Sequence, residues 1–364
     1  DLRTHSYPQY LFEYIDIDWL HKILRRFNRR NHIYYYFWQL FAYQFAARLH
    51  AKHPFDLIHH VTWVSFRQPS FMGLIDVPMF FGPVAGGDEI PKGYSRNFSF
   101  NQRIVEVIRG MANSLVCFDP LMRMTYHRAT KVFFTSEGHF LRVPSFVREK
   151  SQIELAIGCD ESIIKVKQRA MQSKREGNRL LFVGRCIGWK GMDLGLQIFA
   201  KVHRARPDVT LTVVGDGVDR KRWMKAADQL SISEAIDWRG WIPKDDVFKL
   251  YSEFDVLFYP SLRDSGGFVV LEALQCGLPV VCFHLGGPGV VVDDSCGVAV
   301  VATGDIEETI ARYADAVLAT LVRVTEQPGI YLACQARVNK FTWDALIGRI
   351  YGPLLNVKEA VSED

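Results

Sequence analysis

The chain of 364 residues has only seven cysteines, an odd number, and no two of them form a Cys-x-x-Cys pair. That argues against a disulfide framework or a structural zinc site and points to a reducing compartment, the cytoplasm. Long hydrophobic runs are missing too. The nearest, 33–47, is interrupted by Gln39 and Gln44. As a helix it would extend ~22 Å, short of a ~30 Å hydrocarbon core. Internal repeats and low-complexity tracts are absent, and the ordinary composition excludes intrinsic disorder, collagen-like repeats and a long coiled coil as the main state. No Asp-x-Asp pair stands at a strand end. A formal charge of +4 is too small to name a partner, and no nucleic-acid partner is expected.

What is present is ordinary globular material, 48% hydrophobic and 23% charged, enough for two cores. Charge is unevenly spread. Residues 1–150 carry 19 Lys and Arg against 12 Asp and Glu, and the remainder 25 against 28. The first half therefore presents a basic surface, suited to polyanions or anionic lipid.

The second half alternates short apolar runs with helical spacing. Strands are expected at 179–186, 209–217, 236–242, 255–262 and 279–285, and helices at 191–206, 219–230, 245–254 and 267–276. Such alternation implies a parallel sheet covered on both faces. The first half reads as α/β with fewer strands, at 55–61, 77–84, 131–136 and 153–157, and with helices at 20–52 and 101–126. A polar, weakly patterned stretch at 158–178 marks the boundary.

Open parallel sheets bind ligands beyond the carboxyl ends of their strands. In the second half those ends carry Gly184-Arg185, Gly215-Asp216-Gly217, the segment from Ser261 to Gly267, and Gly286-Gly287. The run DSGGFVVLE from Asp264 to Glu272 sets two carboxylates eight apart, with two glycines opening a helix between them. Bare amides at a helix start form an anion site, and Glu272 is placed to bind a diol. The run equally suits a helix capped by Asp264 or Ser265, with Glu272 solvated. Arg185 and Lys190 leave a strand end and enter a helix start, where cations oppose the macrodipole unless an anion lies between them. A diphosphate would account for both; so would an ordinary surface loop.

In this order the motifs resemble the retaining glycosyltransferases of family 4, which have the GT-B fold of two facing Rossmann-like domains. The resemblance runs from about 157 to 300. It comprises Gly184-Arg185 with Lys190-Gly191, Gly215-Asp216-Gly217, and Asp264 to Glu272 followed by Ala273-Leu274, Gly277, Pro279 and Val280. Asp264 stands where the family has Glu, and Gly266 where it has Phe. The resemblance implies a nucleotide diphosphate sugar as donor, with no cofactor and no metal, in keeping with the lack of an Asp-x-Asp pair, and transfer of a hexose to a glycan or lipid-linked acceptor. Arg185 and Lys190 would hold the diphosphate, with Gly184 and Gly215 lining the site, and Glu272 the ribose. Ile242 would approach the base. Asp264 and the amides of Gly266, Gly267 and Phe268 would face the hexose. A nucleotide-sugar epimerase and a non-catalytic sugar-nucleotide or glycan-binding protein remain alternatives.

The first half matches less well. His59 and His60 follow the family's Asp-x-x-His pattern, and His60 is a candidate catalytic residue, although core roles suit both. The family's first strand and glycine loop have no counterpart, so the first domain is expected to lack one βαβ unit, roughly 60 residues. The expected domains are 1–157 on the acceptor side, 158–340 on the donor side, and a helix at 341–364 crossing back. Finally, Lys22, Arg25, Arg26, Arg29 and Arg30 share one helical face, followed by aromatics from Tyr34 to Trp38. That suits either a solvated basic face or peripheral attachment to the cytoplasmic face of an anionic membrane.

Overall fold

The computed structural model of the chain describes residues 10–19, 22, 32–61, 65–159, 177–327 and 329–362. Helix α1 (His32–Lys52) leads into a parallel sheet with the order β1-β2-β3-β4, formed by β1 (Ile58–His60), β2 (Met79–Val84), β3 (Lys131–Phe134) and β4 (Ser151–Ile153). Between β2 and β3 lie α2 (Phe100–Leu115) and α3 (Pro120–Arg128). A single turn, α4 (Ser145–Arg148), precedes β4. Met79, Phe81, Val132 and Phe134 form one side's core with Phe66, Met122 and Tyr126.

The second sheet has six parallel strands. They alternate with helices: β5 (Arg179–Val183), α5 (Met192–Ala205), β6 (Thr210–Val214), α6 (Arg220–Gln229), β7 (Ile236–Gly240), α7 (Lys244–Tyr251), β8 (Val256–Tyr259), α8 (Phe268–Gln275), β9 (Val280–Phe283), α9 (Gly286–Val291) and β10 (Gly297–Val300). Strands β8 and β9 are buried along their whole length, as continuous apolar runs in a doubly covered sheet must be. The order is β10-β9-β8-β5-β6-β7. The chain runs outward from β5 to β7, then returns to the other side at β8. The switch point between β5 and β8 is where such a sheet opens a crevice.

Three helices follow: α10 (Ile306–Glu326), α11 (Ile330–Val338) and α12 (Trp343–Ser362). The last packs on the first sheet. Leu346 and Ile350 cluster with Phe80 and Phe133, and Tyr351 meets His59 Nδ1 at 2.5 Å.

Several expectations need correction. The helix expected at 101–126 breaks in two. Asp119 accepts hydrogen bonds from the amides of Leu121 and Met122, and Pro120 occupies the first turn of α3. Aspartate followed by proline is a start signal, and a residue before proline avoids the helical region. The strand expected at 153–157 is instead Ser151–Ile153. Beyond it, Leu155 and Ile157 join the core of the second sheet. Most of the boundary stretch, 160–176, lies outside the described residues, as do Arg25, Arg26, Arg29 and Arg30. Lys22 is described and exposed.

Candidate active site

The loop after β5 and the loop after β8 meet at the switch point, locked by glycine. Gly191 has φ +73°, and a Cβ there would lie 1.8 Å from the Pro260 carbonyl oxygen. Only glycine permits that approach. The contact brings together two residues 74 positions apart: Lys190 Nζ donates to Asp264 Oδ2 at 2.9 Å and to Tyr259 Oη at 2.5 Å. Tyr259 in turn donates to Asp264 Oδ2 at 2.5 Å. Burial pushes the Asp264 pKa up, but the Lys190 charge and the hydrogen bonds it accepts outweigh this. Its carboxyl therefore sits below the usual carboxylate value. Burial and the Asp264 charge drive the Tyr259 phenol well above its ordinary value.

The other oxygen, Asp264 Oδ1, accepts from the amides of Gly266 at 3.1 Å and Gly267 at 3.0 Å. Those amides, expected to face a donor hexose, are here satisfied by the chain's own carboxylate. A short aspartate side chain reaches amides two and three positions on, as in an Asx turn. Lys190, expected on a diphosphate, is here held by Asp264. Arg185, by contrast, is exposed, and no ion pair or hydrogen bond to its guanidinium is found among the described residues.

Arg185 lines a cleft of ≈ 680 Å³ with Gly184, Gly215, Ile242, Phe268 and Glu272, the arrangement expected from their strand ends. Gly215 has φ +131°, and a Cβ there would meet the Gly184 oxygen at 1.9 Å. The floor is therefore bare backbone. Glu272 Oε2 accepts from Tyr251 Oη at 3.2 Å, and its Oε1 lies 3.2 Å from Lys244 Nζ. Trp241, which the sequence reading passed over, also lines this cleft with 75% of its surface exposed. Its signal was an aromatic held between Gly240 and Pro243.

A second cleft, ≈ 840 Å³, lies between the two sheets, with Asp88 and Glu89 on one wall and Arg263, His284 and Gly286 on the other. Asp88 bridges the walls. It accepts from Ser265 Oγ at 2.7 Å and from Ser136 Oγ. Behind it His139 is fully buried. Its Nε2 accepts from the Gly87 amide at 3.0 Å, and its Nδ1 lies 2.9 Å from Ser136 Oγ. Burial lowers its pKa against the opposing pull of Asp88, and an Nε2 that accepts from the Gly87 amide leaves the ring proton to Nδ1.

His60 lines neither cleft. Its Nε2 lies 3.0 Å from Tyr35 Oη and its Nδ1 2.7 Å from Ser70 Oγ, which ties the edge strand β1 to α1. His59 is engaged by Tyr351 and by the Gly82 oxygen, and burial lowers its pKa. Both histidines serve the packing of the first sheet. Asp88, Ser136 and Arg263, which line the larger cleft, and His139 behind them were not legible as a group because they come from separate loops.

Residues 164–320 match the family described as Glycosyl transferases group 1. The D-inositol 3-phosphate glycosyltransferase of Segniliparus rotundus is 32% identical over 169 residues, 45% of this chain and 36% of that protein. The 2-deoxystreptamine glucosyltransferase of Streptomyces kanamyceticus is 27% identical over 206 residues, 57% of this chain and 51% of that one. The chain thus spans between a third and a half of the length of these relatives. Among solved structures, Anabaena Alr3699/HepE in complex with UDP superposes with a TM-score of 0.58 at 17% identity, covering 88% of this chain and 82% of that one. The lipopolysaccharide outer core galactosyltransferase WaaB gives 0.57 at 14%, covering 90% and 82%. These likenesses, with two all-parallel sheets, show the GT-B fold.

Proposed function

We propose that the chain is a retaining glycosyltransferase of family 4 type, a hexosyltransferase acting on a nucleotide diphosphate sugar. The observation that carries this reading is the junction at the switch point. There a nucleotide-sized cleft holding Arg185 and Glu272 meets the Lys190–Asp264 pair and the start of α8. The glycosidic bond from the hexose C1 to the diphosphate breaks, and C1 bonds to an acceptor oxygen whose proton is released. Negative charge grows on the leaving diphosphate. Arg185 at the cleft, and Lys190 exchanging Asp264 for phosphate, supply preorganised positive charge where it develops. Glu272 takes the ribose hydroxyls and Trp241 offers a face to the base. The acceptor enters from the larger cleft, past Asp88. Polysaccharide or lipid-linked glycan synthesis at the cytoplasmic face of a membrane is the setting we assign. Among the described residues no helix is long and apolar enough to cross a membrane. The exposed apolar face of α2 supports peripheral attachment.

The test is a melting-temperature screen against UDP, GDP and ADP and their sugars. A nucleotide that binds the folded chain raises its melting temperature by mass action. Arg185→Ala should weaken that binding roughly 10- to 150-fold, the equivalent of ~1.5–3 kcal/mol for a charge-assisted contact. The unliganded melting temperature should not change, because the side chain is exposed. Unaltered affinity in Arg185→Ala would remove the diphosphate assignment. Donor turnover without any acceptor, to a free or epimerised sugar, would favour an epimerase.

A further inference from the structure

Three arginines converge where the loop after β2 faces the second sheet. Arg109, on the inward face of α2, donates from Nη2 to the Gly86 oxygen at 2.7 Å. Arg67 donates from Nη1 to Asn113 Oδ1 at 2.8 Å, and Asn113 reaches the Gly87 oxygen at 3.4 Å. Arg263 enters from the opposite wall, its guanidinium 5.0 Å from the Trp189 ring centroid and paired with Glu106, three residues before Arg109 on α2. Arg67 and Arg109 are half-buried, and each donates to a neutral oxygen. Among the described residues no carboxylate lies within ion-pair distance of either. Arg109 Nε is buried without a hydrogen-bond partner. The charged groups facing Arg109 are Arg263, Arg67, Glu106 and Asp88. Of these, Glu106 is committed to Arg263, and Asp88 accepts from Ser136 and Ser265. Burial and the two like charges push Arg109 down to about 10, and Arg67 is lowered by burial and by Arg263.

Two half-buried guanidiniums with no carboxylate in direct contact, and three cations facing two acids, leave a net positive cluster that an anion would complete. Guanidinium forks match the oxygens of a phosphate. None of the three arginines lines the Arg185 cleft, while Arg263 lines the larger one. We propose that Arg67, Arg109 and Arg263 form a phosphate-binding subsite at the acceptor side of the crevice, which selects an acceptor bearing a phosphate group. Assigning that phosphate to the acceptor rests on the glycosyltransferase reading above; the anion site itself rests on the arginines.

The experiment titrates inorganic phosphate into the full chain by calorimetry, alone and with whichever of UDP, GDP or ADP raises the melting temperature. Phosphate should bind with the nucleotide present. Arg67→Gln and Arg109→Gln should each weaken it tenfold or more and change nucleotide affinity less than twofold. Their melting temperatures in phosphate-free buffer should hold or rise, since each removes a repelling charge. Arg109→Lys, which keeps charge but loses the fork, should fall between wild type and Arg109→Gln. Absence of phosphate binding in a chain that binds nucleotide would overturn the subsite. So would phosphate that nucleotide displaces and that both glutamine variants bind normally, because it would then occupy the Arg185 cleft. Phosphate binding lost in the variants, in a chain that no nucleotide stabilises, would keep the anion site and overturn both its assignment to an acceptor and the glycosyltransferase reading.

Discussion

At the scale of single residues, the Lys190–Asp264 pair governs the site. Both side chains are mostly buried, at 15% and 16% exposure. Removing one partner of such a pair leaves the other charge stranded, a loss of about 3–5 kcal/mol when burial is complete. Asp264→Asn should therefore cost somewhat less, about 2–4 kcal/mol. The cost should depend on pH. The Asp264 pKa is depressed in the folded chain, so its stabilising contribution is present above the unfolded value of ~3.9 and is lost as pH falls through the lower folded value. Urea midpoints for wild type and Asp264→Asn should be well separated at pH 7 and converge as pH falls to 3 and below. A gap that stays constant across that range would mean that the ion pair contributes nothing. The pairing also shows the reach of sequence reasoning. Lys190 and Asp264 each stand out in the sequence by the glycines beside them. That they hold each other does not, because Gly191 must first meet Pro260 across the switch point.

At the scale of elements, the second half was legible from β5 to β9, while in the first half β1, β2 and β3 fall inside the expected ranges and only β4 and the helix at 101–126 were misplaced. Strands buried on both faces are written as unbroken apolar runs, and β5, β6, β8 and β9 can be read directly. Strand β4 has three residues, too few for periodicity to fix its bounds. The arginine cluster draws on three elements and has no sequence signature. Helix α2 misleads in another way. Its apolar residues Ile104, Val107, Ile108, Met111 and Leu115 repeat at helical spacing, as a buried face would, yet all are exposed. The inward face instead carries Glu106, Arg109 and Asn113. An apolar stripe turned outward beside a basic half suits a helix lying in a lipid interface. Co-sedimentation with anionic vesicles should fall several-fold in the double variant Ile108→Glu, Met111→Glu, and further when Arg25, Arg26, Arg29 and Arg30 become Ser. High salt should abolish only the second contribution, as the Debye length shrinks from ~10 Å at 0.1 M to ~3 Å at 1 M. Equal pelleting of all variants with anionic and neutral vesicles would reject both the stripe and the basic segment as anchors.

At the scale of the whole molecule, the segment from Tyr94 to Gln102 joins the two sheets, alongside the packing of α12 on the first sheet. Tyr94 and Phe98 are counted in the core of the second sheet, at 7% and 4% exposure, although they follow β2 in the chain. Tyr94 Oη reaches Thr309 Oγ1 at 2.7 Å and the Thr303 oxygen at 2.9 Å. Arg222 donates to the Asn97 oxygen at 2.8 Å, and Gln102 to Asp219 Oδ2 at 2.8 Å. Phe98 lies so close to Gly188 that a Cβ there would be 3.0 Å from its ring. Phe98 thus packs against the turn that carries Lys190 in the loop after β5. Phe98→Ala should lose about 3–5 kcal/mol of the packing between the two sheets, the usual cost of truncating a buried aromatic. Each sheet has its own apolar core, so the loss should uncouple them. Scanning calorimetry should then resolve two heat-absorption peaks where the wild type gives one, and the stabilising nucleotide should raise only the peak of the second sheet. A single peak, lowered but moved as a whole by nucleotide, would mean that the sheets unfold as one unit and that Phe98 is ordinary core.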